Sequence, residues 1–218
     1  MAMGSWRTLS LIGLAALMSG SRVAHAVPAL TLEGHGRETG GLAVSNLGDT
    51  LWVVGRVTDV EANPGLPYSP AQCEYTFAIT GLISSGEHGE GFNRIVVYSG
   101  GQLAIYSDSQ FNADWLAPQT AAEPPACFRD GELWFVAAVQ VCYRVYSSQH
   151  AGGLYCQFEA VGGTALSWLD ELRWFFGERE ETPGDLVALG YELTLAGRMS
   201  TWWEDPMPNG WGAIKALY

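Results

Sequence analysis

Positive charge is scarce in this chain of 218 residues. Lysine and arginine total 11 against 23 acidic residues, which gives a formal net charge of −12, and Lys215 is the only lysine. A protein this acidic repels the phosphates of nucleic acid and the anionic headgroups of membranes. We therefore expect neither among its partners and interpret the acidity mainly as a means of staying soluble outside the cell. Cation binding or a saline habitat is the alternative interpretation.

Long apolar runs are missing as well. The apolar run at residues 9–18 is too short to cross a bilayer, which takes about 20 residues. Arg7 precedes this run, and Ala24 and Ala26 supply the small residues of a signal-peptidase site. The sequence thus predicts a secretory signal peptide over residues 1–26 and a single mature domain over residues 27–218. We expect no membrane span and a location that is secreted, periplasmic or at the cell surface.

Cysteine is sparse, with four residues, and all four follow the predicted signal peptide. An even number of cysteines in an exported chain indicates disulfides. Cys142 and Cys156 lie at equal distances from Gln149, which is in a polar segment between two apolar stretches. A hairpin that turns there places the two cysteines opposite each other, close enough for a disulfide. A Cys73–Cys127 disulfide then follows by elimination, and the other connectivities remain open.

This cysteine-bearing hairpin spans residues 132–158, and we expect the rest of the chain to fold around it. Apolar residues recur at every second position over 133–145, which is the period of a β-strand. The register that pairs the cysteines puts Gln157 on the face that carries Val139. The sequence therefore predicts either a β-bulge in one of the strands or a different pairing.

Sequence motifs of the common enzyme classes are missing. We find no G-x-S-x-G or S-x-x-K nucleophile motif, no P-loop and no dinucleotide fingerprint, and the histidines lack zinc-ligand spacing. A carboxylate-based glycoside hydrolase stays open, because two catalytic carboxylates need only be close in space. Acidic clusters of this kind are also typical of a solvated surface. The candidates are Asp170 and Glu171, the acidic residues of 178–181, and Glu204 and Asp205.

Helix–strand alternation is absent, and short alternating segments separated by turn residues fill the mature chain. This pattern predicts an all-β fold, either an antiparallel β-sandwich or a closed β-barrel of about eight to ten strands, with at most one short helix. Gly100 and Gly101 separate two such segments and predict a tight hairpin. The segment 185–200 has the best strand alternation, and 165–172 favours the short helix. The expected strands are 27–39, 50–60, 74–84, 93–99, 102–108, 132–146, 154–160 and 185–200.

Residues 109–130 form a long, proline-containing irregular stretch, and a loop of this length usually has a function or a local crosslink. Asp108, Asn112 and Asp114 place three oxygen ligands at its start, as hard cations such as Ca²⁺ require. We therefore consider a calcium site there and expect no other cofactor. The spacing matches no EF-hand, and capping of turns by the same side chains is the simpler interpretation.

Tryptophan is frequent, with 9 residues, and most are expected to pack in the core of a β protein. Trp115, Trp202 and Trp203 lie in loop-like sequence, where exposed aromatic rings can bind a glycan or another small ligand. We interpret the chain as an exported, disulfide-stabilised β domain that acts as a non-enzymatic binding or surface-associated module. A secreted hydrolase and a structural component of an envelope or matrix are the alternatives.

Overall fold

The computed structural model describes residues 29–42, 44–61, 65–90, 93–146 and 152–201. No helix within these ranges is long and apolar enough to cross a membrane. Outside the described residues lie the predicted signal peptide and the candidate residues Trp202, Trp203, Glu204 and Asp205.

Strands make up most of the described chain, and the expectation of an all-β fold is confirmed. The strands are β1 (Ala29–Glu38), β2 (Leu47–Glu61), β3 (Glu74–Glu90), β4 (Asn93–Ser99), β5 (Gln102–Asp108), β6 (Glu132–Tyr146), β7 (Gly152–Gly162), β8 (Trp174–Glu180) and β9 (Leu193–Ser200). Helical structure is limited to α1 (Leu166–Leu169), α2 (Gly184–Ala188) and a 3-10 turn (Ala126–Phe128).

The strands close into an antiparallel barrel. β1 pairs with both β2 and β9, and the sheet continues through β3 on one side and through β8, β7 and β6 on the other. β4 and β5 lie end to end in the remaining position, between β3 and β6. Of the two architectures expected from the sequence, the barrel is therefore the one that forms. Among the nine described strands, closure leaves no long edge exposed for pairing with another chain.

The hairpin predicted at Gly100 and Gly101 is wrong. β4 and β5 are both antiparallel to β3 and to β6, so they run in the same direction as two halves of one interrupted strand. The two glycines have φ values of 69° and 97°, and the adjacent Gly81 on β3 has 75°. These left-handed residues kink the barrel wall instead of reversing the chain. The partners β3 and β6 hold both halves in line, and local sequence does not reveal them.

The segment 185–200 is not one strand, as its alternation predicted, but helix α2 followed by β9. Pro183 is the N-cap residue of α2, and Gly190, with a φ of 93°, turns the chain toward β9. Leu186 belongs to an apolar cluster on the outside of the barrel, whereas Leu195 belongs to the main core inside. The apolar residues of 185–200 therefore fill two different cores, although in the sequence they resemble the alternation of a single strand.

Side chains fill the barrel interior. Gly34 and Gly55 face it together, and a Cβ atom on either would lie 2.8 or 2.4 Å from the ring of Phe77. The missing side chains therefore leave room for this ring in a close-packed core. Four phenylalanines, each at most 1% exposed, form its centre: Phe77, Phe135, Phe158 and Phe175.

Cys142 on β6 and Cys156 on β7 lie directly opposite each other and form a disulfide, as predicted. The expected bulge is present as well. The pairing register shifts between Val139 and Val141, and Val139 is 8% exposed whereas Val141 is 39% exposed. The extra residue, Gln140, thus exchanges the inward and outward faces of β6 and brings Cys142 to the interior.

The predicted Cys73–Cys127 disulfide is not formed, and both residues are free cysteines. Cys73 packs against the core inside the barrel, whereas Cys127, in the 3-10 turn, packs against the apolar cluster outside. The barrel wall therefore separates the two side chains. The assignment by elimination was wrong because it assumed that every cysteine of the chain is bridged.

Candidate functional site

Residues 109–130, which we name the cover segment, lie against the outer face of the barrel. Thr76 Oγ1 donates to the carbonyl oxygen of Phe128 at 3.1 Å. Trp52 Nε1 donates to the carbonyl oxygen of Ala121, also at 3.1 Å. Outward-facing side chains of β2 and β3 thus hold this long irregular stretch in place, so it needs no crosslink to stay ordered.

The cover segment encloses an aromatic group on the outer face, which we name the outer cluster. The ring centroid of Trp115 lies 4.5 Å from that of His35, edge to face, and 4.5 Å from that of Phe128. Tyr191 packs edge to face against Trp52 at 5.8 Å. Trp52, Phe128 and Tyr191 are at most 1% exposed, so the inner part of this cluster is a small second core.

Two titratable side chains lie in the outer cluster, Tyr191 fully buried and His35 half-buried. His35 Nδ1 lies 2.8 Å from Thr194 Oγ1. Burial lowers the pKa of this imidazole, and the negative charge of Asp185 partly offsets that decrease. Burial raises the pKa of Tyr191 to about 12. Its Oη makes no hydrogen bond with the described residues. Both side chains are therefore neutral near neutral pH.

The outward side of the cover segment exposes apolar side chains. Phe111 is 52% exposed and Leu116 is 66% exposed. Phe111 is also the one non-glycine residue in the described part of the chain with a positive φ, 52°. Trp115, a predicted ligand-binding residue, lies between them in sequence and is half-buried, with the guanidinium carbon of Arg56 6.0 Å from its ring centroid. We name Phe111, Trp115 and Leu116 the rim.

Asp108, Asn112 and Asp114, the predicted calcium ligands, act on the loop itself. The two aspartates each accept a hydrogen bond at 2.9 Å from the backbone N–H two residues further on. Asn112 Nδ2 donates to Asp130 Oδ2 at 3.0 Å. Within the described ranges, no three His, Cys, Asp or Glu side chains form a group that could hold a metal ion. The two aspartate contacts are those of Asx turns, the Asn112 contact joins the two ends of the cover segment, and the calcium site stays a prediction.

A second polar site lies inside the barrel, and we name Glu38 and Arg144 the inner pair. Arg144 Nη1 donates to Glu38 Oε2 at 2.9 Å, and the two side chains are 2% and 0% exposed. Ser45 Oγ donates to Glu38 Oε1, and Tyr98 Oη donates to Oε2 at 3.3 Å. Ser84 Oγ lies 2.7 Å from Ser45 Oγ. Both carboxylate oxygens therefore have partners, as a buried carboxylate requires.

The charge of Glu38 depends on these neighbours. Burial raises the pKa of its carboxyl group, while the Arg144 charge and the hydrogen bonds from Ser45 and Tyr98 oppose this rise. Burial raises the pKa of Tyr98 as well, so its hydroxyl keeps the proton that it donates. The inner pair is thus a mutually dependent unit, in which neither charge is favourable alone.

The sequence patterns did not reveal the inner pair. Glu38 and Arg144 are 106 residues apart in sequence, and only barrel closure brings them together. One signal was present: Arg144 follows Cys142 by two residues, so the two side chains share a face of the predicted strand. An arginine on the buried face of a strand requires a partner.

The carboxylates considered for a glycoside hydrolase are at the surface where the structure describes them. Asp170 and Glu171 follow α1 and are exposed, and Glu178 on β8 is exposed too. Their environment is that of a solvated face, which lacks the burial that would prepare one carboxyl group as a general acid.

No protein-family model, no curated protein and no solved structure matches this chain.

Proposed function

We propose that this protein is an exported, disulfide-stabilised β-barrel that binds carbohydrate through the rim. The main support is Phe111, an exposed aromatic residue held in a left-handed backbone conformation. The Cys142–Cys156 disulfide supports an oxidising compartment, as export would provide. Binding without chemical conversion needs no catalytic pair of carboxylates.

Phe111 is unfavourable for the fold in two ways. A left-handed conformation costs a non-glycine residue about 1–2 kcal/mol. About half of the side chain, 52%, stays in water, so burial offsets little of that cost. The hydrogen bonds of Asp108 and Asn112 nevertheless keep the loop in this shape. A strained and ordered aromatic residue on a surface loop is typical of a binding site.

The surroundings of the rim suit a sugar. Sugar rings pack their C–H faces on aromatic rings and need hydrogen-bond donors and acceptors at their edges. Phe111 and Trp115 supply the rings. Arg56, whose side chain is 45% exposed, lies beside Trp115. Its Nη2 donates to the carbonyl oxygen of Ala113 and its Nε pairs with Glu74, so Nη1 is the donor proposed for the sugar, and the exposed Asp114 supplies an acceptor. This combination favours a neutral oligosaccharide.

A glycan panel tests the proposal. We expect the wild-type protein to bind at least one neutral oligosaccharide saturably. Phe111→Ala is expected to weaken that binding by about tenfold or more, because losing a contact residue that contributes about 1.4 kcal/mol of binding free energy raises the Kd tenfold. Val141→Ala is the control, because Val141 is 39% exposed and lies on β6, whereas the side chains that hold the cover segment come from β2 and β3. No saturable binding, or an equal loss in both variants, would contradict the proposal.

Trp202 and Trp203 remain ligand-binding candidates from the sequence. Trp202→Ala and Trp203→Ala on the same panel decide whether they add to the rim. Weaker binding in either variant would place that residue in the site, and unchanged binding would confine the site to the cover segment.

We also propose that residues 1–26 are removed on export, so that the mature chain begins at Val27. The basic residue Arg7, the short apolar run and the small residues Ala24 and Ala26 support this. The intact mass of the exported protein measures the cleavage. A mass that retains residues 1–26, or protein confined to the cytoplasm, contradicts it.

The two alternative functions, a secreted hydrolase and a structural component of an envelope or matrix, predict different results in the same samples. A hydrolase would shorten the bound oligosaccharide during incubation, and a structural component would self-associate at low concentration. Binding without cleavage by a monomer supports the binding module.

A further inference from the structure

We propose that the ligand of the rim is a neutral glycoside with an apolar aglycone, and that this aglycone, an alkyl chain or an aryl ring, lies on an apolar strip beside the sugar. The strip consists of Leu116 in the rim, Val187 on α2 and Leu189 directly after α2. This inference rests on the carbohydrate binding proposed above and names the class of carbohydrate that the rim takes.

Helix α2 lies against the cover segment. Leu186 is 7% exposed and packs in the buried cluster against which Trp115 also lies. Gln119 Nε2, in the cover segment, donates to the carbonyl oxygen of Leu189 at 3.0 Å. The two segments therefore form one continuous part of the outer face, and the strip crosses their junction.

Apolar side chains on the outward side of this junction stay in water. Leu116 is 66% exposed, Val187 52% and Leu189 38%, so the core uses none of them fully. Single exposed apolar residues are ordinary on a protein surface. Three of them on two segments in contact, next to the exposed Phe111, form a patch of the kind that marks a binding surface.

The backbone holds this part of the strip in one shape. The N–H of Val187 donates to the carbonyl oxygen of Pro183 at 2.9 Å, and the N–H of Leu189 donates to that of Leu186 at 3.1 Å. Gly190, with a φ of 93°, donates to the carbonyl oxygen of Val187 at 2.9 Å and turns the chain toward β9. Because the segment is already ordered, a ligand that covers it loses little binding energy to ordering.

Charge around the strip favours a neutral ligand. Asp114 precedes the strip in the cover segment, Asp185 is in the first turn of α2, and both are exposed. The Arg37 guanidinium lies beside Gly190, where an added Cβ would be 2.8 Å from Nη1. Charges of both signs thus border the strip, while the net charge of −12 repels anionic amphiphiles at longer range.

The rim and the strip meet at Leu116, the residue after Trp115. The rings of Phe111 and Trp115 offer faces for the C–H groups of a sugar, and the strip offers only apolar surface. A free oligosaccharide leaves that surface in water. A glycoside joins a sugar to an aglycone, so both surfaces are covered at once and the apolar area adds to the affinity.

Calorimetric titration with methyl and hexyl β-D-glucoside tests the proposal, with both kept below the concentration at which micelles form. We expect hexyl glucoside to bind with a Kd of about 1 mM or tighter. It should bind about tenfold more tightly than methyl glucoside or better, because burying about two methylene groups suffices for this gain. Hexanoate has a similar chain with a charge and no sugar, and we expect it not to bind.

Substitutions in the strip separate it from the rim. Val187→Ser and Leu189→Ser are each expected to reduce the gain from methyl to hexyl glucoside by about threefold or more and to leave oligosaccharide affinity unchanged. Val161→Ser is the matched control, because Val161 is 56% exposed and lies on β7, outside the strip. Phe111→Ala should weaken hexyl glucoside and the oligosaccharide alike.

A measurement on the wild-type protein keeps the test independent of how the variants fold. The backbone amide resonances of residues 187–190 are expected to move with hexyl glucoside and to stay in place with methyl glucoside. Unmoved resonances, equal affinity for the two glucosides, hexanoate binding as tight as that of hexyl glucoside, or an equal loss in Val161→Ser would overturn the proposal.

The glycan panel measures the proposed function separately. Oligosaccharide binding without a gain from the hexyl chain would refute the strip and leave carbohydrate binding at the rim intact. If neither an oligosaccharide nor hexyl glucoside binds, both proposals fail.

Discussion

At the scale of single residues, buried charge is the feature with the largest energetic consequence. The inner pair, Glu38 and Arg144, is almost completely removed from water, with side chains 0% and 2% exposed. Removing one partner from such a pair leaves an uncompensated charge in a medium that solvates it poorly. Exposed pairs such as Arg198–Glu61 carry no such penalty, because water replaces the lost partner.

Glu38→Gln is expected to lower the free energy of unfolding by about 3–5 kcal/mol, because Arg144 then lacks its counter-charge. Urea unfolding of the oxidised protein measures this. Glu61→Gln is the matched control on the surface, and its effect should stay within about 1 kcal/mol. Two small and equal effects would contradict a structural dependence on the inner pair.

His35 is expected to make the protein less stable in acid. Burial lowers the pKa of the folded-state imidazole below its ordinary value of 6.5, so the unfolded chain takes up this proton first as the pH falls. The folded state therefore carries no penalty well above pH 6.5 and loses stability as the pH falls from 6.5 through the folded-state pKa. Unfolding free energies measured across this window should depend less on pH in His35→Gln. An unchanged slope would show that another group titrates there.

At the scale of elements, local patterns predicted what is locally determined. The hairpin over 132–158, with its disulfide and its bulge, followed from apolar spacing and from two equidistant cysteines, and it is confirmed. The glycine pair at 100 and 101 was misinterpreted, because a left-handed glycine can end a strand or kink it. The choice depends on β3 and β6, which pair with both halves. The segment 185–200 was misinterpreted as one strand for a different reason, because its two parts pack in different cores.

Gly101→Ala is expected to destabilise the barrel by about 1–3 kcal/mol, the cost of forcing a side chain onto a left-handed residue. The φ of Gly101 is 97°, and an added Cβ would lie 2.8 Å from Leu82 Cδ2. Gly184→Ala is the matched control, because no atom lies within 4 Å of an added Cβ there and its φ is not in the left-handed region. It should be neutral or stabilise α2 by up to about 1 kcal/mol. Thermal unfolding compares the two, and equal midpoints would contradict a strained kink.

At the scale of the whole molecule, barrel closure creates both candidate sites. β1 and β6 do not pair, but closure makes both strands line the same interior, where Glu38 meets Arg144 although the two are 106 residues apart in sequence. It also forms the outer face on which the cover segment rests and from which the rim projects. The sequence predicted Trp115 but not Phe111, because a positive φ is a property of the folded loop and not of its composition.

The oxidised chain should contain two free thiols, because Cys142 and Cys156 are joined while Cys73 and Cys127 are not. A thiol reagent applied to the denatured, unreduced protein counts them. A count of zero would restore the Cys73–Cys127 disulfide and contradict the placement of these residues on opposite sides of the barrel wall. A count of four would contradict the Cys142–Cys156 disulfide.

Mapping of backbone amide shifts on the wild-type protein tests whether carbohydrate binds at the rim, without any substitution. The protein is titrated with the oligosaccharide that it binds best, and the residues whose resonances move are placed on the barrel. If the rim binds the oligosaccharide, the changes concentrate at residues 109–116 and at Arg56, beside the rim. Changes centred on another face of the barrel, or no changes at any concentration, would contradict carbohydrate binding through the cover segment.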